Sequence, residues 1–330
     1  MRLTFLGTSA GTPTPERNVT ALALALDDSK SWYLVDCGEG TQHRLLKSRY
    51  TLSDLKAVFI THVHGDHMFG LPGLISTASM QGRKEPLLIA APEGVESFVR
   101  HSLKCAAITQ LPFELSFVSS DVSSDASSDS PGFYYKDDAF EVTAHELSHR
   151  VPSYAYRFEE APRTGRLNQQ KLETLGVPKG PLWGELQAGN TVVLDDGREV
   201  SPENARLPDE KGRVAIIGGD NDKPELLLEA MKGADVLVHE ATFTDPVFQK
   251  VGPQYMHSTA KMVGEAAEQA GIASVILTHF SGRFRRDSKK PEFTLAALRA
   301  EAGAAYKGQV ELAEDFSCWE LNSKRELHRL

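Results

Sequence analysis

The stretch FITHVHGDHMFG (residues 59–70) gathers His62, His64, Asp66 and His67 within six residues. An apolar run, AVFIT (57–61), leads into it, and FGLPG (69–73) follows. In an extended chain alternate residues share a face, so His62 and His64 point the same way. Asp66 and His67 then turn back and can serve a second ion. Imidazole and carboxylate donors suit zinc. Four solvated surface residues would be the plain alternative, but the apolar flanks on both sides call for burial.

Two ions need more ligands, and strand ends elsewhere supply them. ELSHRVPSY carries His149, IIGGDND carries Asp220, and VILTHFSG carries His279. Each residue alone reads as an ordinary hydrogen-bonded strand end. Their repetition opposite a complete HxHxDH makes a shared site the better reading. His145 lies four residues before His149, roughly 13 Å away at strand spacing, and is left out.

Short apolar runs continue outward on both sides. RLTFL (2–6), TALALAL (20–26), WYLVD (32–36), AVFIT and LLIAA (87–91) read as strands, with a helix over GLPGLISTASMQG (70–82). FEVTAHEL (140–147) and SYAYRF (153–158) follow. The second half alternates strand and helix. RVAIIGGD (213–220), DVLVHEAT (235–242) and SVILTHF (274–280) are strands. PELLLEAMKGA (224–234) reads as a helix closed by Gly233, and STAKMVGEAAEQAG (258–271) as one capped by Ser258. This rhythm predicts an α/β chain built as one four-layer α/β/β/α sandwich over residues 1–330.

Two stretches stand apart. SSDVSSDASSDS, within 119–130, is polar and of low complexity and reads as a flexible surface loop. Residues 160–207 break the strand–helix rhythm, with a short helix candidate (168–176) and a hairpin turned at Asp196-Gly197. Between them LGVPKGPLWGELQAG (175–189) reads as a defined but non-repetitive backbone. Lys179, Gly180, Pro181 and Trp183 there offer a charge, a closely approachable backbone and an aromatic face. An insertion this long with little to bury is usually functional or disordered.

The net charge of −9 over 330 residues argues against a general nucleic-acid coat protein. Local basic groups remain in HFSGRFRRDSKK (279–290) and in Arg163, Arg166, Lys171 and Lys179, where a solvated face is the bland reading. Cys37, Cys105 and Cys318 form no CxxC pair, so a reducing cytoplasm is expected. No apolar window approaches the roughly 18–20 residues of a membrane span. MRLTFLGTSAG (1–11) reads as a strand and turn, not a signal peptide.

Further motifs narrow the reading. LVDCGEGTQHRLL (34–46), LSHRVPSYAYR (147–157), GGD (218–220), HEAT (239–242), HST (257–259) and THFSGRF (278–284) stand in order around the HxHxDH. Together they resemble the ribonuclease Z family of metallo-β-lactamase-fold hydrolases, above all its short bacterial, ribonuclease BN-like form. The resemblance runs from Met1 to about residue 320. It implies a metallo-β-lactamase sandwich with a protruding tRNA-binding arm at 160–207. It implies two zinc ions per chain, one on His62, His64 and His149, the other on Asp66, His67 and His279, with Asp220 bridging. Asp36 would support the site. It also implies a homodimer that cuts the 3′ trailer from precursor tRNA in the cytoplasm, leaving a 3′-hydroxyl and a 5′-phosphomonoester.

Asp66 would orient the nucleophile, and His257 would protonate the leaving oxygen with Glu240 holding it charged. Arg17 and Asn18, in PTPERN (13–18), match a family loop linked to sensing mature 3′ ends, with Pro15 where lysine is usual. Some 3′-exonuclease trimming is conceivable on that account. Asn221 in GGDN stands where threonine is commoner. The alternatives are a small-molecule hydrolase of the same fold, acting on aryl phosphodiesters, lactones or thioesters, and a silent RNA-binding scaffold. The complete ligand set speaks against the scaffold. His64, where a flavo-diiron site has glutamate, speaks against oxygen chemistry.

Overall fold

Strands that read as unbroken apolar runs bury both faces. In Leu55–Phe59, Ala57 and Phe59 join one core while Leu55 and Val58 join another. In Val236–Glu240, Val236 and Val238 face inward and Leu237 faces the opposite layer. Such two-sided burial is what parallel strands covered by helices require.

The computed structural model describes residues 1–121, 133–285 and 288–330, which form two units, Met1–Glu159 with Arg213–Leu330, and Glu160–Gly212. The larger unit holds two sheets. The first runs in the order Leu327–Arg329, Cys318–Leu321, Arg2–Gly7, Ala21–Ala25, Trp32–Val35, Leu55–Phe59, Leu87–Ala91, Leu115–Ser119. The second runs Gln309–Leu312, Ser274–Thr278, Val236–Glu240, Val214–Gly218, Ser153–Glu160, Phe140–Leu147, Tyr134–Lys136. Each has a parallel half: Trp32–Val35 through Leu115–Ser119 in one, and Val214–Gly218 through Gln309–Leu312 in the other.

The inner faces share one core, rich in edge-to-face aromatic pairs such as Phe59 with Tyr156 and Phe158. Helices Leu71–Met80 and Val95–Cys105 cover the outer face of the first sheet. Ala260–Ala270 and Leu295–Ala305 cover the second. This is the expected α/β/β/α sandwich.

Local details differ from the sequence reading. The cap of Ala260–Ala270 is Thr259, whose hydroxyl accepts from the Met262 N–H at 3.2 Å. Ser258 is buried and donates to the Asn221 carbonyl instead. PELLLEAM folds as a 3₁₀ turn, Pro224–Leu227, followed by a single α-turn, Leu228–Met231, although Gly233 does take the left-handed conformation. The Ser/Asp-rich stretch lies outside the described residues from 122 onward, and Ser119 ends a strand.

The smaller unit has its own core of Leu172, Val177, Leu186, Val192, Leu194, Val200 and Ala205. Helix Gln169–Thr174 is capped by Asn168, and Val192–Val193 pairs with Glu199–Val200 around the positive-φ Gly197, as expected. The stretch 175–189 is more regular than its composition suggests. It contains the helix Pro181–Ala188, opened by proline at N1 and closed by left-handed Gly189. Leu186 is fully buried, and the Trp183 indole donates to the Val177 carbonyl at 3.3 Å.

Candidate metal centre

The parallel strands all deliver their C-terminal ends to one rim, where open α/β sheets bind ligands. His62 follows Leu55–Phe59, Asp220 follows Val214–Gly218, Glu240 ends Val236–Glu240, and His279 follows Ser274–Thr278. His149 arrives just beyond Phe140–Leu147. Asp66 and His67 sit on the short turn of helix Gly65–Met68. Backbone lies against backbone beneath them. A Cβ on Gly70 would stand 2.2 Å from the Gly38 carbonyl oxygen, so only glycine fits there.

Three overlapping groups of possible ligands result among the described residues; one, Asp220 with His257 and His279, brings His257 to the edge of the cluster, and the other two match the expected sets. His62, His64, His149 and Asp220 converge in one, and Asp66, His67 and His279 in the other, with donor atoms within 4.8 Å of one another in each. His64 Nδ1 and His149 Nε2 are 3.2 Å apart; His67 Nε2 and His279 Nε2 are 3.3 Å apart. Asp66 Oδ2 is 3.3 Å from His279 Nε2. Asp220 reaches both groups: Oδ2 is 3.5 Å from His62 Nε2, and Oδ1 is 3.3 Å from His279 Nε2. A tetrahedral ion with bonds of about 2.0–2.1 Å spaces its ligands at about 3.3 Å. The donors also fit an ion by what they lack. His62 Nε2 and Asp220 Oδ1 are buried and carry no hydrogen bond, which is costly unless a cation satisfies them. His145, set aside in the sequence, instead contacts Thr143 Oγ1 at 3.2 Å.

Protein atoms aim these side chains. Asp36, buried, accepts from His67 Nδ1 at 2.7 Å and from Thr61 N and Oγ1 at 2.8 and 3.0 Å. The Met256 carbonyl accepts from His149 Nδ1 at 2.9 Å. Thr242 Oγ1 lies 3.1 Å from His279 Nδ1, and the Gly11 N–H donates to Asp66 Oδ2 at 2.7 Å. Asp36, Met256 and His279 all hold positive φ, at 59°, 52° and 55°. Non-glycine residues take this conformation rarely, and it clusters at functional sites. Gly11 and Met256 carry no motif signal, and Thr61 and Thr242 lie inside quoted motifs that do not reveal their roles, because those roles depend on contacts distant in sequence.

The electrostatics are divided. Burial, then the neighbouring imidazoles, push His62 well below the usual histidine range; His64 and His149 are also lowered, by burial first. Neutral imidazole is the metal-binding form. Burial opposes protonation of His67, but Asp36, Asp66 and Asp220 outweigh it and raise it well above. Burial likewise opposes ionisation of Asp66, yet His67 and His279 hold it below the ordinary carboxylate range.

Beside the cluster, His257 Nδ1 bonds Glu240 Oε1 at 2.9 Å and lies 3.8 Å from Asp220 Oδ2. Burial alone would lower His257; Glu240 and Asp220 reverse this and raise it to about 9. Glu240, fully buried, is held down to about 2, against burial, by His257. Asn221 ties the segments together. Its N–H donates to Glu240 Oε1 at 2.8 Å, its side-chain oxygen accepts from Ser148 N at 3.2 Å, and its amide meets His239 Nε2 at 3.1 Å. His239 is therefore part of this framework and not a ligand.

The structure places Arg17 apart from its expected RNA role. It is buried, and its guanidinium donates to the carbonyls of Phe284, at 2.5 Å, and Ser281, at 3.5 Å. Asn18 Nδ2 donates to the Glu39 carbonyl at 3.0 Å. Both hold the loop in place. Lys179 is exposed and lies 5.7 Å from the Trp183 ring.

Comparison with known proteins identifies the family. A family model described as Anti-Pycsar protein Apyc1 matches residues 1–158. Ribonuclease Z of Marinobacter nauticus is 46 % identical over 331 residues, covering 100 % of this chain and 99 % of its own length. The crystal structure of the short form of human tRNase Z aligns with a TM-score of 0.64 and 27 % identity, over 96 % of this chain and 98 % of that one. A metallo-β-lactamase fold protein of Bacillus subtilis, 17 % identical with a TM-score of 0.62 over 96 % of this chain and 98 % of its own, shares the fold. With a His/Asp cluster that could hold metal on a metallo-β-lactamase sandwich, and 46 % identity end to end with such a relative, the chain belongs to the ribonuclease Z family.

Proposed function

We propose that this protein is an endoribonuclease that removes the 3′ trailer from precursor tRNA, using two zinc ions per chain. The observation that carries this reading is the pair of ligand groups sharing Asp220, with the Glu240–His257 pair beside them. His62, His64 and His149 would hold one ion and Asp66, His67 and His279 the other, with Asp220 between. When bound, such ions polarise a phosphodiester and acidify water. Asp66, its Oδ2 anchored by the Gly11 N–H, orients the attacking water. His257, kept charged by Glu240, delivers its proton to the departing 3′-oxygen. The tRNA thus leaves with a 3′-hydroxyl, and the trailer keeps the phosphate at its 5′ end.

Lys179, Gly180, Pro181 and Trp183 in the smaller unit are assigned to RNA contact, supported by the exposure of Lys179 and Gly180. Family resemblance supports a homodimer acting in the cytoplasm. Among the described residues no helix is long and apolar enough to cross a membrane. The test is incubation with matched precursor tRNAs, with and without CCA, mapped to single nucleotides. Cleavage at one bond after the nucleotide preceding CCA is expected; random degradation or inert precursors would defeat the proposal.

A further inference from the structure

A cavity of about 500 Å³ opens beside His257. It is walled on the His257 side by Phe243, whose ring centroid lies 6.1 Å from that imidazole, and by Tyr255, two residues upstream. Phe293 adds a third ring to the lining, and Val247 and Val251 add aliphatic surface. Gly11, whose N–H holds Asp66, borders the same space, so the cavity reaches both ends of the proposed reaction axis. The cations Arg150, Lys250 and Arg283 complete the wall, and among the described residues no carboxylate or carboxamide side chain lines it.

These features select an occupant. A cavity of this size with apolar and aromatic walls accommodates a small ring system. Cations at its edge suit a phosphodiester. Aromatic faces stack on any base, because every base has a π-face. Reading base identity would need donors and acceptors matched to its edges, and of the three lining hydroxyls, those of Thr242, Tyr255 and Ser281, two already hold hydrogen bonds. Thr242 Oγ1 bonds Glu240, and Ser281 Oγ accepts from the Arg283 N–H.

We infer that this cavity is a base-neutral pocket for the nucleotide whose 3′-oxygen departs, the last nucleotide retained on the tRNA, with Tyr255 stacking on its base. The assignment rests on the ribonuclease reading above, in which His257 protonates that oxygen and so must lie against that nucleotide. A substrate presenting any of four bases at this position meets a surface that grips without discriminating. Tyr255 is 45 % exposed and available for stacking, and the Arg150 guanidinium stands 5.9 Å from its ring.

The experiment compares kcat/KM for precursor tRNAs bearing each of the four bases, or an abasic site, at the nucleotide before the cut. The wild-type enzyme is expected to cut the four within about three-fold of one another and the abasic substrate about ten-fold more slowly, the scale of one stacked base. Tyr255→Ala should slow the base-bearing substrates to the abasic rate, and Tyr255→Phe should restore them. An abasic precursor cut as fast as the others would overturn the pocket, and so would strong preference for one base. The wild-type abasic comparison stands even if a variant misfolds. Failure of every precursor to be cut would overturn the ribonuclease reading and the pocket with it. That outcome is distinct from equal cutting of the abasic and base-bearing precursors, which overturns the pocket alone.

Discussion

Replacing Asp36 by asparagine tests whether the site is aimed from behind. The carboxylate is 2 % exposed and faces three donors, His67 Nδ1 at 2.7 Å and Thr61 N and Oγ1 at 2.8 and 3.0 Å. Asparagine keeps the shape but removes the charge and turns one acceptor into a donor. At least one bond becomes a donor facing a donor, and the charge-assisted bond to His67 is lost. Substitutions behind a metal ligand typically cost about 10- to 100-fold in affinity, or about 1.4–2.7 kcal/mol. The loss should fall on the ion held by Asp66, His67 and His279, while the ion held by His62, His64 and His149 stays. Competition against a coloured chelator would show one tight and one weakened ion per chain, where the parent protein shows two tight ones. Two ions at parental affinity would refute the argument that Asp36 positions His67.

Other consequences are open to direct measurement. His257→Ala should slow precursor cleavage by about 10²–10⁴-fold while metal content by elemental analysis is unchanged; lost metal would make His257 a ligand instead. Because His257 is raised to about 9, it keeps its proton at neutral pH and loses it as pH climbs through that value, so cleavage should decline on the alkaline side. Glu240→Gln removes the charge that raises it, and the decline should move toward lower pH in a kcat profile. Excising residues 161–211 should abolish tRNA cleavage but spare hydrolysis of a small activated phosphodiester. The Gly212 backbone lies so close to the Glu160 carbonyl that the ends can be rejoined. Loss of both activities would make the smaller unit a folding element.

The candidate ligands were legible because HxHxDH is compact and because Asp220 and His279 follow apolar runs, while His149 follows the alternating strand FEVTAHEL. The sandwich was legible for a related reason: two-sided burial leaves continuous hydrophobic strands. What escaped depends on contacts between distant segments. Nothing near Met256 shows that its carbonyl will meet His149, and nothing in PTPERN shows that Arg17 will be buried by residues 281–284. The helix Pro181–Ala188 was hidden by its own glycines and prolines, although Gly180-Pro181 and Gly189 are the punctuation of a helix start and stop. Ser258 and Thr259 are equally good caps on paper, and the strand geometry beside Asn221 chose between them.

The left-handed turns at Asp36, Met256 and His279 bear on the order in which the enzyme is assembled. Each conformation costs about 1–3 kcal/mol and persists only where surrounding packing enforces it. Here the enforcing elements are the large inner and outer cores and a web of protein–protein hydrogen bonds. The folded chain therefore sets the directions of its own ligands. In small zinc domains, by contrast, folding and metal uptake are one event. For this protein the expected order is fold first, load second: chelation should yield a folded chain ready to be recharged, and loss of far-UV circular dichroism on chelation would refute it.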